Sequence, residues 1–232
     1  MWNSESRSGI PHSAFRTPHS VRLMAITAIL LAAGYATRLY PLTTDRPKTL
    51  LPFGRGTILD EMMASLAGVP GVHRRVLVTN HRFADQFQEW QRTCGAAVHI
   101  LDDHTDTPDT RLGAIRDLEL ARAQAGPTDD LLVLGTDNLF RWSLAAFVGQ
   151  AQRHSPAPTI ALWQAPSAAA ATQFGVVVRD RTDRVTEFVE KSPTPPSRDV
   201  ALCVYYFPFV MCGSIRTFLD SGEHADAPGY LI

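Results

Sequence analysis

No run of 18 apolar residues occurs anywhere in this sequence, and cysteine appears only three times in 232 residues, at Cys94, Cys203 and Cys212. The first absence excludes a membrane-spanning helix. An odd cysteine count without a C-x-x-C pair excludes a disulfide framework and a cysteine zinc site, and reads as reduced thiols in a cytoplasmic protein. Neither sign of charge dominates: 22 Lys and Arg stand against 23 Asp and Glu. No global field therefore attracts nucleic acid or an anionic membrane, and any anion site must be a local cluster. Internal repeats are lacking. So are two nucleotide fingerprints, the G-x-x-x-x-G-K-[ST] phosphate loop and the dinucleotide G-x-G-x-x-G.

What is there is a chain 45% hydrophobic, enough for one sizeable core. Residues 1–23, rich in Ser, Arg and Pro and without a helical or strand period, read as a disordered tail, and Met24 stands as an alternative start. The single domain expected over 24–232 alternates apolar runs with helical patterns. Strands are expected at 26–32, 74–80, 96–101, 130–135 and 158–165. Helices are expected at 57–68 behind a Thr57 cap, at 82–95 with Gly95 as its stop, around 112–125, and near 143–153. This rhythm predicts a parallel sheet with helices on both faces. The later third changes: two strands joined by a polar turn over 174–191, a proline-rich connector at 192–199, a strand at 200–209 and a helix at 211–221. It reads as an α+β elaboration of the same sheet.

Open α/β sheets bind ligands beyond the carboxyl ends of their strands. Three loops stand there: 33–48, 102–113 and 136–140. The first lies in "LAAGYATRLYPLTTDRPKTLLP". Gly34 lets a backbone approach an anion. Arg38 offers a planar fork and Lys48 a point charge for phosphate oxygens. On chemistry alone, a phosphate grip and an ordinary surface loop both remain open. "HILDDH" at 99–104 offers two histidines and two aspartates, but it straddles a strand end where successive side chains point to opposite faces, so a metal there is disfavoured. Tyr205 and Tyr206 read as strand packing.

The first loop resembles the signature of sugar-1-phosphate nucleotidylyltransferases, L-A-x-G-x-G-T-R-L followed by P-L-T and P-K-x-L-L-P, with Ala36 where a second glycine is usual. Further resemblances follow in order over about 25–232: "TNHRFADQFQEW", "TRLGAIRDL", "LGTDNLF", "FGVVV", "VTEFVEKS" (Ser192 replacing a usual proline), "CVYYF" and "DAPGYLI". The resemblance implies a three-layer α/β/α Rossmann-like fold with a mixed, mostly parallel sheet. It implies transfer of a nucleotidyl group from a nucleoside triphosphate to a sugar 1-phosphate, with Mg²⁺ as cofactor. Nucleic acid and membrane are not expected partners, and homo-oligomerisation stays open.

By the same resemblance, Ala33, Gly34, Tyr35, Leu112 and Gly113 lie against the nucleotide. Arg38 holds the triphosphate, Lys48 the α-phosphate, and Asp137 the metal. Gly175, Glu190 and Lys191 receive the sugar phosphate. Each has a plainer reading: Asp137 as a helix cap, Glu190 and Lys191 as solvated strand-end charges, Gly113 as a turn glycine. Arg111 touches either the base or only solvent. A second metal aspartate, which relatives carry in a W-x-D-I-G-T-like segment, has no counterpart before Ile232. The expectation is a shortened chain, a substitute carboxylate or impaired metal binding. Two rivals are carried forward: a phosphocholine or phosphonate cytidylyltransferase, which would want an aromatic cage for which Trp163, Tyr205 and Tyr206 are the candidates, and a regulatory domain that binds nucleotide or sugar phosphate without catalysis.

Overall fold

A computed structural model describes residues 24–222 and 226–232. The tail expected at 1–23 lies outside the described residues.

In chain order the elements are β1 (Ile26–Leu31), a short hairpin of β2 (Pro52–Phe53) and β3 (Gly56–Thr57), α1 (Ile58–Ala67), β4 (Val72–Thr79), α2 (His81–Cys94), β5 (His99–Asp102), α3 (Ala114–Arg122), β6 (Asp130–Gly135) and α4 (Leu144–Arg153). There follow β7 (Thr159–Gln164), α5 (Ala168–Ala171), β8 (Gly175–Arg179), β9 (Val185–Glu190), β10 (Asp199–Phe207) and α6 (Cys212–Asp220). The main sheet runs β5-β4-β1-β6-β10-β8-β9, with β7 also paired to β10. The first four are parallel, β10 runs against β6, and both β7 and β8 run against β10. Six of the eight strands thus point one way, with β10 and β9 reversed.

The alternation of side chains along each strand explains the layers. Ala28 and Leu30 of β1, with Leu132 and Leu134 of β6, pack on Leu59, Met62 and Leu66 of α1, Phe83 and Phe87 of α2, and Leu144 and Val148 of α4. Their neighbours Ile29, Leu131 and Val133 face the other way, onto Ile115 and Leu118 of α3 and Ile215 of α6. Both faces of the central strands are covered, which is why β1 and β6 read as continuous apolar runs.

The helix starts are chemically marked. Thr57 and Asp60 form a reciprocal capping box at α1, Asn80 caps α2 through Phe83 N–H, and Ser143 caps α4. Gly95 ends α2 in the left-handed region, at φ 67°. Two expected boundaries shift for visible reasons. The strand expected from residue 96 begins at His99, because Gln91 Nε2 takes the Ala96 and Val98 carbonyls before a ladder can. The helix expected from 112 begins at Ala114, because Gly113 sits at φ 92° and ψ 151°. The β2–β3 hairpin and α5 are too short for a period to announce them.

At the base of β6, buried Asp130 accepts hydrogen bonds from the Tyr206 hydroxyl and, at 2.7 Å, from Phe209 N–H. That pairing welds β10 to the parallel half. No helix among the described residues is long and apolar enough to cross a membrane.

Candidate active site

β5, β4, β1 and β6 run parallel in that order, so the loops after β1, β5 and β6 share one edge of the sheet. After β1 the chain keeps Ala33 buried, with its carbonyl accepting from Asn80 Nδ2 at 2.9 Å. Gly34 is exposed, and a side chain there would meet nothing within 4 Å. The next side chain turns inward. Tyr35 is buried, its hydroxyl lies 3.2 Å from Thr105 Oγ1, and burial raises its pKa. Its ring therefore belongs to the core, and only its backbone belongs to the loop.

Ala36 adopts φ 48° and ψ 40°. This is a left-handed position where an L-residue carries a strain of roughly 1–2 kcal/mol, and it accounts for the glycine usual there. Thr43 Oγ1 holds the Ala36 carbonyl at 2.9 Å. Arg38 follows in an exposed 3₁₀ turn, Thr37–Leu39, and makes no ion pair among the described residues.

Lys48 opens a second 3₁₀ turn, Lys48–Leu50, and crosses to the end of β6. Its Nζ lies 3.0 Å from Asp137 Oδ2. Asp137 stands two residues beyond β6 with its side chain about half exposed, and Oδ1 takes no hydrogen bond among the described residues. Asp137 precedes α4 by too much chain to cap it; Ser143 does that.

The reversed strands bring the third group. Val204 pairs with Leu134 and Val200 with Val176, so Cys203 lies level with the end of β6 and the open end of the β8–β9 hairpin is close by. There Gly175 pairs with Glu190, and Glu190 Oε1 meets Lys191 Nζ at 2.8 Å. A Cβ on Gly175 would fall 2.6 Å from Glu190 Oε2 and 2.6 Å from Phe188 Cζ, so glycine makes room for both side chains. Burial, then the charges of Asp137 and Glu190, push the Cys203 thiol up to about 12. It is an inert thiol at neutral pH.

The 103–113 loop is also polar inside. Asp103 Oδ1 accepts from Thr105 N–H at 2.7 Å and Thr105 Oγ1 at 2.8 Å, which leaves Tyr35 to donate to that hydroxyl. Asp103 Oδ2 and Asp117 Oδ1 are buried without hydrogen-bond partners among the described residues. Burial, and the like charge of Asp103, raise Asp117 to about 7. Leu112 is half-buried beside Gly113, while Arg111 reaches out to Asp226 at 3.5 Å.

The sequence and the fold match known proteins. The sequence pattern of the nucleotidyl transferase family matches residues 27–228. The chain belongs to that family. As a nucleotidyl transferase it is 26% identical over 184 residues to a mannose-1-phosphate guanylyltransferase catalytic subunit beta of Dictyostelium discoideum, which covers 78% of this chain and 49% of that protein. It is 29% identical over 187 residues to a glucose-1-phosphate adenylyltransferase of Corynebacterium diphtheriae (74% and 42%). It is 29% identical over 184 residues to a UTP–glucose-1-phosphate uridylyltransferase of Haloferax volcanii (78% and 71%). The chain spans about half the length of most of these relatives. A solved Bacillus anthracis structure, described as a glucose-1-phosphate thymidylyltransferase in complex with sucrose, superposes with a TM-score of 0.72 at 20% identity, over 86% of this chain and 76% of that one, and shares the fold.

Two readings from the sequence change. Tyr205 and Tyr206 are buried on β10, as expected of strand packing, which removes two of the three rings a choline cage would need; Trp163 stacks edge-on with Phe174 instead. Two potential donors of the "HILDDH" segment, Asp102 and His104, do lie together. β5 ends at Asp102 and the chain turns at His104, φ 61°, so strand alternation no longer separates them; His81, from the start of α2, joins the pair. Sequence spacing gave no hint of His81, which lies 21 positions away from Asp102.

Proposed function

We propose that this nucleotidyl transferase joins a nucleoside triphosphate to a sugar 1-phosphate, giving a nucleoside-diphosphate sugar and pyrophosphate, with Mg²⁺ as cofactor. The observation that carries the reading is the convergence on one sheet edge of Lys48 with Asp137 and of Glu190 with Lys191. Membership of the family supports it.

An oxygen of the sugar phosphate attacks the α-phosphorus. A new P–O bond forms there as the bond to the β-phosphate oxygen breaks, and pyrophosphate carries away the electron pair. Such a transfer needs in-line positioning and stabilisation of spread negative charge more than it needs a protein nucleophile. Lys48 places its ammonium beside the α-phosphate, and Arg38, free of internal partners among the described residues, holds the outer phosphates. Gly34 and Gly113 give the nucleotide close access to the backbone. Glu190 accepts hydrogen bonds from sugar hydroxyls, and Lys191 pairs with the sugar phosphate.

The half-exposed Asp137 carboxylate, with Oδ1 unengaged, is a hard oxygen donor suited to Mg²⁺, which keeps several waters and takes only one or two protein carboxylates. When bound, the ion would offset charge on the phosphate oxygens. The partly exposed ammonium of Lys48 is within reach to move from Asp137 to phosphate as substrate arrives.

The names of the relatives and of the solved structure carry four bases and two sugars, and the test spans them. Five nucleoside triphosphates are assayed against a panel of sugar 1-phosphates and aminoalcohol phosphates, with pyrophosphate release as the readout. Turnover with at least one sugar 1-phosphate is expected. Turnover only with aminoalcohol phosphates, or none with any pair, would overturn the reading.

A further inference from the structure

His81, Asp102 and His104 lie beside the sheet edge but outside the set of groups assigned above. We infer that they form a separate site for a first-row divalent transition metal of the Zn²⁺ class. One donor atom from each of the three lies within 4.8 Å of the others. His81 Nδ1 is 2.6 Å and His104 Nδ1 3.6 Å from the same oxygen, Asp102 Oδ2.

Those distances suit ligation. Around a tetrahedral ion with bonds of about 2.0–2.1 Å, donor atoms sit ~3.3–3.4 Å apart. The His104 pair is already near that spacing, and the His81 pair needs to open by less than about 1 Å as the ion replaces a shared proton. Two imidazoles and one carboxylate favour Zn²⁺, Co²⁺ or Ni²⁺ over Mg²⁺ or Ca²⁺, which prefer all-oxygen shells.

The surroundings hold the carboxylate for this use. Asp102 Oδ1 accepts the His104 backbone N–H at 2.7 Å, which fixes the group and leaves Oδ2 to face both rings. His81 is anchored in turn by its own N–H, which donates to the Thr105 carbonyl at 2.9 Å. A hydrogen bond tying α2 to the loop after β5 would need only His81. The second ring is surplus to the fold: the His104 side chain is 85% exposed, yet its backbone occupies a left-handed conformation that a glycine would take without strain. Ligation gives that ring a purpose. A bound ion would clip the start of α2 to the loop whose Thr105 carries the Tyr35 hydroxyl.

The test uses the full chain, stripped with a chelator and kept in millimolar Mg²⁺ so that hard oxygen sites are filled. Co²⁺ is titrated and followed by its visible absorption bands, and Zn²⁺ by calorimetry. One equivalent is expected to bind. His81→Ala should weaken it at least tenfold, and so should His104→Gly, a variant the left-handed backbone accommodates. Asp137→Asn and His99→Ala should leave it unchanged. Zn²⁺ at saturation should also raise the thermal midpoint of the wild type and not of the double variant. Binding that persists at full strength in His81→Ala/His104→Gly would place the ion on other histidines, such as His12 and His19, and overturn the site. So would an absence of binding to the wild type, whatever the catalytic assays give.

Discussion

Lys48 and Asp137, 89 positions apart in sequence, hold each other at 3.0 Å across the ends of two neighbouring strands. The pair is solvent-exposed, so its contribution to stability is small, at most about 1 kcal/mol. Under the function proposed above its importance is positional: a cation and an anion assigned to phosphate and metal are kept at one point before any substrate arrives.

Removing either partner, or Arg38 of the same loop, is therefore expected to damage turnover far more than folding. Lys48→Ala, Arg38→Ala and Asp137→Asn should each lower kcat by about two orders of magnitude, the usual scale for one preorganised charge-stabilising group. Thermal midpoints should stay near wild type. Asp137→Asn should in addition raise the Mg²⁺ concentration needed for half-maximal rate. Normal turnover in Lys48→Ala, or an unchanged Mg²⁺ requirement in Asp137→Asn, would remove these residues from the mechanism.

Gly175→Ala tests the other half of the edge. The new methyl collides with Glu190 Oε2 and with Phe188 Cζ, each 2.6 Å away. Both side chains must shift, at a cost of about 1–3 kcal/mol for overpacking. A lower thermal midpoint and a KM for the sugar phosphate raised more than that for the triphosphate are expected. Equal changes in the two KM values would argue that Glu190 does not address the sugar.

Ala36→Gly should stabilise the protein by about 0.5–1 kcal/mol. Relief of the left-handed strain at φ 48° outweighs the added freedom of the unfolded chain. Urea denaturation reads this directly, and a destabilised variant would mean that the methyl makes a contact worth more than the strain.

Asp117 predicts a pH dependence. Burial and Asp103 raise its carboxyl from 3.8 to about 7 in the folded state. Between those values the folded chain keeps a proton that the unfolded chain has lost. Stability from this group is thus complete below pH 4 and declines as pH rises toward 7, levelling above it. Asp117→Asn keeps the shape and removes the titration. Relative to wild type, its thermal midpoint should gain as pH is raised from 4 to 8. Parallel profiles for the two proteins would show that Asp117 is ionised in the fold at neutral pH.

The elements were legible where burial imposes a period. β1 and β6 are apolar on both faces, and α2 shows its stripe of Phe83, Phe87 and Trp90. Capping residues marked the helix starts because their side chains bond locally. The left-handed positions Ala36, His104 and Lys191 were not legible, since none is a glycine and the backbone there is set by the turn around it. For the site, residue chemistry singled out Gly34, Arg38 and Lys48. Bringing Lys48 to Asp137 depends on β1 and β6 being neighbours in the sheet, an order that no local spacing encodes. The inward turn of the Tyr35 ring and the approach of His81 to Asp102 depend on tertiary packing that no local spacing encodes.

β10 has a consequence for how the molecule is made. Strands β5, β4, β1 and β6 are complete once Gly135 has been synthesised, but the partner that covers the far side of β6 ends only at Phe207. At ~5–20 residues per second, that stretch takes on the order of 4–14 s to emerge from the ribosome. Throughout this interval β6 presents an open edge, and Asp130 at its base lacks both the Tyr206 hydroxyl and the Phe209 N–H. Along β6 the nascent chain is thus open to strand addition for a defined time. A chaperone, or the β6 of a neighbouring nascent chain, would compete with β10 for that edge.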